Sequence, residues 1–180
     1  MIRKIVLAVL LVGGIVALDI QTKSWATSVL APNSTIRGAA GLPLTLAFNQ
    51  GVAFGLQLPE AGRWIVIFAT LLVLVVLSNM FVKASHNDWG RLLSVQLVGA
   101  GAIGNLIDRV RWNGGVVDFI GPFDIGSMQF PIFNIADMAI TTGAVLLALS
   151  LLREDAALSS GDVTVELVEE DRMLSTDGVN

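Results

Sequence analysis

Four long apolar stretches dominate the pattern of hydrophobic and polar positions along the chain. They cover residues 5–25, 64–82, 92–108 and 136–152. Each comes close to the ~20 residues that a helix needs to cross about 30 Å of hydrocarbon. A surface helix of a soluble protein carries a polar stripe at helical spacing, and the segment 64–77 has none. The pattern therefore predicts four membrane-spanning helices.

The first stretch has a second interpretation. Arg3 and Lys4 precede it, as basic residues precede the apolar core of a cleaved signal peptide. The residues from Asp19 to Lys23 do not resemble the small-residue site at which such peptides are cut. Because three further apolar stretches follow, we interpret residues 5–25 as an uncleaved span.

Two longer segments, 24–63 and 108–135, connect the spans on one side of the membrane. Apolar residues alternate with others over 44–48, which is typical of a half-buried strand. Two glycines then flank residues 52–54, and this predicts a turn and a second short strand. The predicted fold class is a mainly α membrane protein, with four transmembrane helices and a small β-sheet on the outer membrane surface.

The basic residues predict the orientation of the spans. Four Lys or Arg residues fall within the short segments 1–4 and 83–91, whereas five are spread over 23–63 and 109–136. Basic residues concentrate in short cytoplasmic segments. Both termini are therefore expected in the cytoplasm and both long segments outside.

Composition supports a membrane protein and divides the chain in two. Hydrophobic residues make up 54% and charged residues 14%, against about 25% charged residues in soluble domains. This excludes a nucleic-acid-binding protein and most cytosolic enzymes. The net charge of −4 arises at the C-terminus, where residues 153–180 hold eight acids and two arginines. We predict one four-helix transmembrane domain over 1–152 and a disordered, acidic cytoplasmic tail over 153–180.

Several kinds of chemistry are excluded by residue type. The chain has no cysteine and a single histidine, His86, in the short loop 83–91. A thiolate nucleophile and a multi-histidine metal site are therefore impossible, and we expect His86 to be solvated. The stretch from Gly99 to Gly104 spells the dinucleotide-binding pattern G-x-G-x-x-G, but it lies inside an apolar span. Small residues there indicate close helix packing instead.

The polar residues of 104–137 are the candidates for chemistry. They stand at or near the ends of the third and fourth spans, and comprise Asn105, Asp108, Arg109, Asp118, Asn134 and Asp137. Ionisable groups at membrane depth are costly unless paired, so each is a functional hypothesis. Asp108 is expected to pair with the adjacent Arg109. A structural cluster at a helix end explains that pair as well as a functional site does.

Asp118 and Asp137 differ from Asp108 because apolar residues surround each of them in the sequence. Burial raises the pKa of a carboxyl group, and a second carboxylate at the same site raises it further. Two aspartates that share one proton form the catalytic pair of aspartic proteases. Such pairs also relay protons in ion-coupled transporters. The residues alone leave a hydrolase, a transporter and a structural role open.

Four short motifs together resemble the lipoprotein signal peptidase family, also called signal peptidase II. In chain order they are Asp19-x-x-Thr22-Lys23, the run from Asn49 to Gly55, Gly104–Arg109 with Val116–Phe119, and Phe133–Asp137. Each motif is weak alone, whereas four in this order on a four-span chain are specific. The chain departs from the family pattern at Gly115, where histidine is frequent, and at Phe130, where tryptophan is frequent.

The resemblance implies an aspartic intramembrane protease with Asp118 and Asp137 as its catalytic pair. It implies that the site is lined, braced or supported by Asn49, Gly51, Asn105, Asp108, Arg109, Asn134, Asp19 and Lys23. The implied substrate is a prolipoprotein whose cysteine carries a diacylglyceryl group, cut just before that cysteine. Membrane lipid is an implied partner, and no metal, cofactor or nucleic acid is implied. We expect a monomer in the bacterial inner membrane with its active site at the outer face.

Overall fold

The structure, a computed structural model, describes residues 2–32, 34–50 and 60–177, with only the backbone given for 60, 61 and 157–177. The helices are α1 (Ile2–Val29), α2 (Glu60–Lys83), α3 (Trp89–Arg111) and α4 (Ile135–Asp177). The strands are β1 (Thr35–Arg37), β2 (Pro43–Asn49), β3 (Val116–Ile120), β4 (Phe123–Ile125) and β5 (Met128–Phe130).

All four helices contain a segment long and apolar enough to cross a membrane. These segments are Ile2–Val29, Gly62–Lys83, Trp89–Arg111 and Ile135–Ala156. Each contains one of the four spans predicted from the sequence. The predicted fold class, a mainly α membrane protein with a small sheet, is confirmed.

Helix α3 is the centre of the bundle and packs against α1, α2 and α4. Glycines make the closest of these approaches possible. A Cβ atom on Gly101 would collide with the carbonyl of Ala136, and one on Gly104 would lie 2.6 Å from an Asp19 carboxylate oxygen. Gly99 faces open space. Helix packing therefore explains two of the three glycines in the G-x-G-x-x-G pattern, as predicted.

A basic residue near the start of each of the first three helices binds a neighbouring helix near the end of that helix's membrane-spanning segment. Lys4 donates to the carbonyl of Ala84 at 2.9 Å, directly after α2. Arg63 of α2 donates to the carbonyl of Arg109 at 2.7 Å, and Arg91 of α3 pairs with Glu154 of α4. Neighbouring helices are therefore antiparallel. We call the end where α1 and α3 finish and α2 and α4 begin the sheet end.

Strands β1, β2 and β3 form an antiparallel sheet in that order. The strand predicted over 44–48 is confirmed as β2, and the one predicted over 52–54 lies outside the described residues. All five residues of β3 are buried. The sheet packs on the last turns of α1 through an apolar core of Ala26, Leu30, Leu44, Leu46, Val117, Phe119 and Ile120.

The remaining segments agree with the sequence in part. Residues 120–130, which the sequence did not mark as strands, contain the two-stranded hairpin β4–β5. Asp124 on this hairpin is exposed, and His86 between α2 and α3 is exposed as predicted. The backbone of α4 is helical as far as Asp177, which is longer than the predicted span. The disorder expected of the acidic tail stays a prediction.

Candidate active site

Asp118 lies in the middle of β3 and is only 4% exposed. Its neighbours along the strand are apolar and fill the core beneath the sheet, so the carboxyl group is held at the sheet end. One carboxylate oxygen, Oδ1, accepts a hydrogen bond from the Asn134 side-chain amide at 2.7 Å. Asn49, at the end of β2, also donates a side-chain hydrogen bond to Asp118.

Asp137 lies in the first turn of α4 and is half-buried. Its Oδ1 accepts from the side-chain amide of Asn105 at 2.8 Å. Its Oδ2 accepts from the backbone N–H of Asn134 at 3.2 Å. Asn134 is completely buried and donates to both aspartates, through its side chain to Asp118 and through its backbone to Asp137. The two residues singled out by the sequence therefore belong to one hydrogen-bonded site.

The environment of Asp118 favours its protonated form. Burial, and then the negative charge of Asp137, raise the pKa of Asp118 to about 7. Hydrogen bonds from Asn134 and Asn49, and the charge of Lys23, act in the opposite direction. A carboxyl group with such a pKa exchanges its proton near neutral pH, as a general acid or base requires.

A buried ion cluster lies beside the two candidate aspartates, Asp118 and Asp137, and is connected to them by hydrogen bonds. The ammonium group of Lys23 lies 2.7 Å from Asp19 and 2.8 Å from Asp108. It also donates to the side-chain oxygen of Asn105 at 3.0 Å. An ammonium group has three donors, and these three acceptors match them. The sequence predicted Asp108 to pair with Arg109, and this was wrong, because adjacent residues on a helix do not face each other.

Lys23 also sets the orientation of the Asn105 amide. Because an ammonium group can only donate, the oxygen of Asn105 must point to Lys23. The amide nitrogen then points to Asp137, as observed. The charge cluster and the catalytic candidates are therefore coupled through a single side chain.

Asp108 and Asp19 each bind a backbone N–H of another element. Asp108 Oδ2 accepts from Val117 at 3.2 Å, next to Asp118 in β3. Asp19 Oδ1 accepts from Ala136 at 2.9 Å, next to Asp137 in α4. The two acids of the ion cluster thus hold the strand and the helix that carry the two candidate catalytic residues.

Arg109 brings a positive charge to the site. Its guanidinium group donates to the carbonyl of Asn105 at 3.2 Å, and it is within electrostatic reach of Asp137, Asp118 and Asp108. Arg63, which sequence reasoning missed, holds the end of α3 by donating to the carbonyls of Arg109 and Val110. Its position at the start of an apolar span gave no signal of that partner.

The backbone geometry at Gly115 explains why glycine stands there, at a position where the family frequently has histidine. Its φ of +95° favours glycine, and a Cβ atom there would collide with the carbonyl of Asn49. No side chain fits at this position of the described backbone, so the strand bearing Asp118 approaches Asn49 closely. Gly51, expected to support the site, lies outside the described residues.

Comparison with solved structures identifies the class of protein. Two structures described as bacterial membrane enzymes have the same fold. One has a TM-score of 0.74 and 30% identity, and covers 83% of this chain and 90% of its own. The other has a TM-score of 0.70 and 31% identity, and the match covers 81% of this chain and 92% of the solved one. The four-helix bundle with its sheet is therefore that of a bacterial membrane enzyme.

Sequence comparison narrows the class to a family. A family model described as signal peptidase II matches residues 11–153. Relatives named lipoprotein signal peptidase include one from Hydrogenovibrio crunogenus, 41% identical over 76% of this chain and 79% of the relative. Another, from Syntrophomonas wolfei, is 40% identical over 77% of this chain and 87% of the relative. The chain belongs to the signal peptidase II family, and it is accordingly a protease of a bacterial membrane.

Proposed function

We propose that the chain removes signal peptides from diacylglyceryl-modified prolipoproteins, by cutting just before the lipidated cysteine with a water activated by Asp118 and Asp137. The observation that carries the mechanism is the junction at Asn134, which hydrogen-bonds to both carboxyl groups. Family membership and the names of the relatives support the substrate class.

The surroundings of the two aspartates assign them different roles. Asp137 accepts two N–H hydrogen bonds and lies in the first turn of α4, where the helix dipole stabilises a negative charge. We assign it the ionised form, which takes a proton from the attacking water. Asp118, with its pKa raised to about 7, holds the proton that polarises the scissile carbonyl.

Proton transfers then complete the cleavage. Water attack produces a tetrahedral intermediate, and one aspartate protonates the departing amine as the peptide bond breaks. We assign Arg109 to hold a backbone carbonyl of the substrate, because its positive charge lies within electrostatic reach of both carboxyl groups. Asn49, exposed at the end of β2 and bonded to Asp118, is the second residue that we assign to substrate contact.

The remaining sequence expectations form part of the proposal. We place both termini in the cytoplasm and the sheet end at the outer face, because basic residues are concentrated in 1–4 and 83–91. A lipid-modified cysteine would then meet the site at the membrane surface. One chain supplies every residue assigned to the site, which supports a monomer. The partners are the prolipoprotein and membrane lipid, without nucleic acid.

Cleavage by purified protein in detergent tests the proposal. The substrate is a diacylglyceryl-modified prolipoprotein, and the variants are Asp118→Asn and Asp137→Asn. Asp124→Asn is the matched control, because it makes the same change on the exposed hairpin. We expect both site variants to lose cleavage and the control to keep it. Cleavage by either site variant at the wild-type rate would refute the dyad.

A second substrate tests the lipid requirement separately. The same prolipoprotein without its diacylglyceryl group should be cut far more slowly. Equal rates for the two substrates would remove lipid recognition from the proposal and leave the peptidase chemistry standing.

A further inference from the structure

The β4–β5 hairpin has two faces of different chemistry. Its register pairs Phe123 with Phe130, Asp124 with Gln129, and Ile125 with Met128. Because side chains alternate along a strand and paired residues share a face, the four apolar residues lie on one face. Asp124 and Gln129 lie on the other, joined by a hydrogen bond of 3.3 Å.

The apolar face is covered at its base and bare at its tip. Phe133 covers the base, since its ring stacks on Phe123 at 5.9 Å and meets Phe130 edge-on at 5.7 Å. At the tip, Ile125 is 63% exposed and Met128 is 75% exposed. No described residue covers these two side chains, so their apolar surface is available for contact with another partner.

The position of the hairpin favours lipid as the partner. Only residues 131–134 separate it from α4, which begins a membrane-spanning segment at Ile135. Strands of three residues extend about 10 Å, so the hairpin lies close to the level at which α4 enters the membrane. An exposed apolar side chain also lies in the first turn of α4, where Met138 is 49% exposed.

Charge points to the same orientation. The only charged residue between 119 and 136 is Asp124, which lies on the polar face of the hairpin. The apolar face can therefore enter the headgroup and acyl boundary without burying a charge, as the apolar faces of interfacial elements do. We propose that this face rests in the interfacial layer of the bilayer at the sheet end, with Asp124 and Gln129 turned to water.

The absence of cysteine from the chain makes a direct test possible. A single cysteine is introduced as Met128→Cys or Gln129→Cys, two neighbours on opposite faces, and a nitroxide is attached. The protein is reconstituted into vesicles of phosphatidylcholine and phosphatidylglycerol. Power-saturation spin resonance then compares collisions with oxygen, which partitions into lipid, and with a water-soluble nickel chelate.

We expect oxygen collisions to dominate at position 128 and nickel collisions at position 129. Ile125→Cys, on the same face as Met128, should follow position 128 and serves as an independent probe. Retained cleavage of lipid-modified substrate confirms that each labelled variant is folded. Equal nickel access at 128 and 129 would place the apolar face in water and overturn the proposal. Shielding of 128 from both reagents would show a protein partner there and overturn it as well.

Discussion

Asn134 and Asp137 cap each other at the start of α4. The side-chain oxygen of Asn134 accepts from the backbone N–H of Asp137 at 2.9 Å, and the Asp137 carboxylate accepts from the backbone N–H of Asn134 at 3.2 Å. This is the reciprocal arrangement of a capping box. Because the Asn134 amide also donates to Asp118, the residue that begins the helix also links the two proposed catalytic groups.

Two substitutions at Asn134 should separate its two roles. Asn134→Ala removes the cap and should lower the free energy of unfolding by about 1 kcal/mol, with a loss of kcat. Asn134→Ser restores an oxygen that caps the helix, so stability should recover. Its shorter side chain does not span the distance to Asp118, so kcat should stay low. Thermal unfolding and cleavage kinetics measure the two effects. Wild-type kcat in the serine variant would contradict the link between the aspartates.

The pKa of Asp118 sets the expected pH dependence. Because the proposed mechanism uses protonated Asp118, kcat/KM should fall as the pH rises through about 7. The Asn49 hydrogen bond stabilises the carboxylate form, so Asn49→Ala should raise this pKa and move the fall to higher pH. A pH profile of kcat/KM for both proteins measures the shift. A fall that stays in place or moves to lower pH would contradict the assignment.

The same pKa shift has a consequence for stability. The folded state holds the Asp118 proton more tightly than the unfolded chain, whose pKa is near 3.8. The contribution of Asp118 to stability is therefore complete below that value and is lost as the pH rises to about 7.

Loss of Lys23 should damage the fold as well as the activity. Lys23→Met leaves Asp19 and Asp108 buried without their cation, and removal of one partner of a buried ion pair costs about 3–5 kcal/mol. Adding Asp108→Asn removes one uncompensated charge and should recover part of the loss. Lys83→Met, an exposed cation in the last turn of α2, is the control and should be nearly neutral. Tryptophan fluorescence during thermal unfolding measures the stability of all three variants. Equal effects of Lys23→Met and Lys83→Met would contradict the importance of the cluster.

Alanine substitutions at two glycines of the G-x-G-x-x-G pattern should change the stability of the protein in opposite directions. Gly104→Ala places a methyl group 2.6 Å from the Asp19 carboxylate and 3.3 Å from the Cβ of Ala136. Such overpacking costs about 1–3 kcal/mol. Gly99→Ala meets nothing within 4 Å, and alanine is favoured over glycine in a helix by about 1 kcal/mol. Unfolding temperatures of the two variants make the comparison. An unchanged unfolding temperature for Gly104→Ala would show that α1, α3 and α4 can move apart without a loss of stability.

The acidic C-terminal segment should be dispensable for cleavage. A chain that ends after Glu154 keeps the ion pair with Arg91 and every residue assigned to the site. Its cleavage rate should equal that of the full chain at equal amounts of membrane-inserted protein. A slower rate in properly inserted protein would assign the segment 155–180 a role in catalysis or substrate handling.

The sequence predicted the parts of the fold that depend on local pattern. Long apolar runs marked the helices, and alternation over 44–48 marked β2. Pairing between β2 and β3 joins segments that are distant in the chain, such as Ala47 and Asp118, and no local periodicity encodes it. Asp118 was therefore recognised as a candidate but not placed on a strand.

The candidate site shows the same division. The residue types and the motif order identified the two aspartates and the residues around them. The partner of Asp108 was predicted wrongly, since its cation comes from α1 and not from the next position of α3. Only the packing of α1 on α3 brings Lys23 to it. The contacts of Arg63 and Gly115 depend in the same way on where separate elements meet.

The spacing of Asp19 and Lys23 has a consequence for the biogenesis of the protein. These residues lie one helical turn apart and form an ion pair within α1, which is synthesised before α3. The pair can therefore neutralise itself while α1 is still alone in the lipid, which reduces the cost of inserting either charge. Asp108 joins only after α3 has been synthesised and has docked. The order of the helices in the chain thus allows the electrostatic centre to form in two stages, the first within one helix and the second on docking of α3.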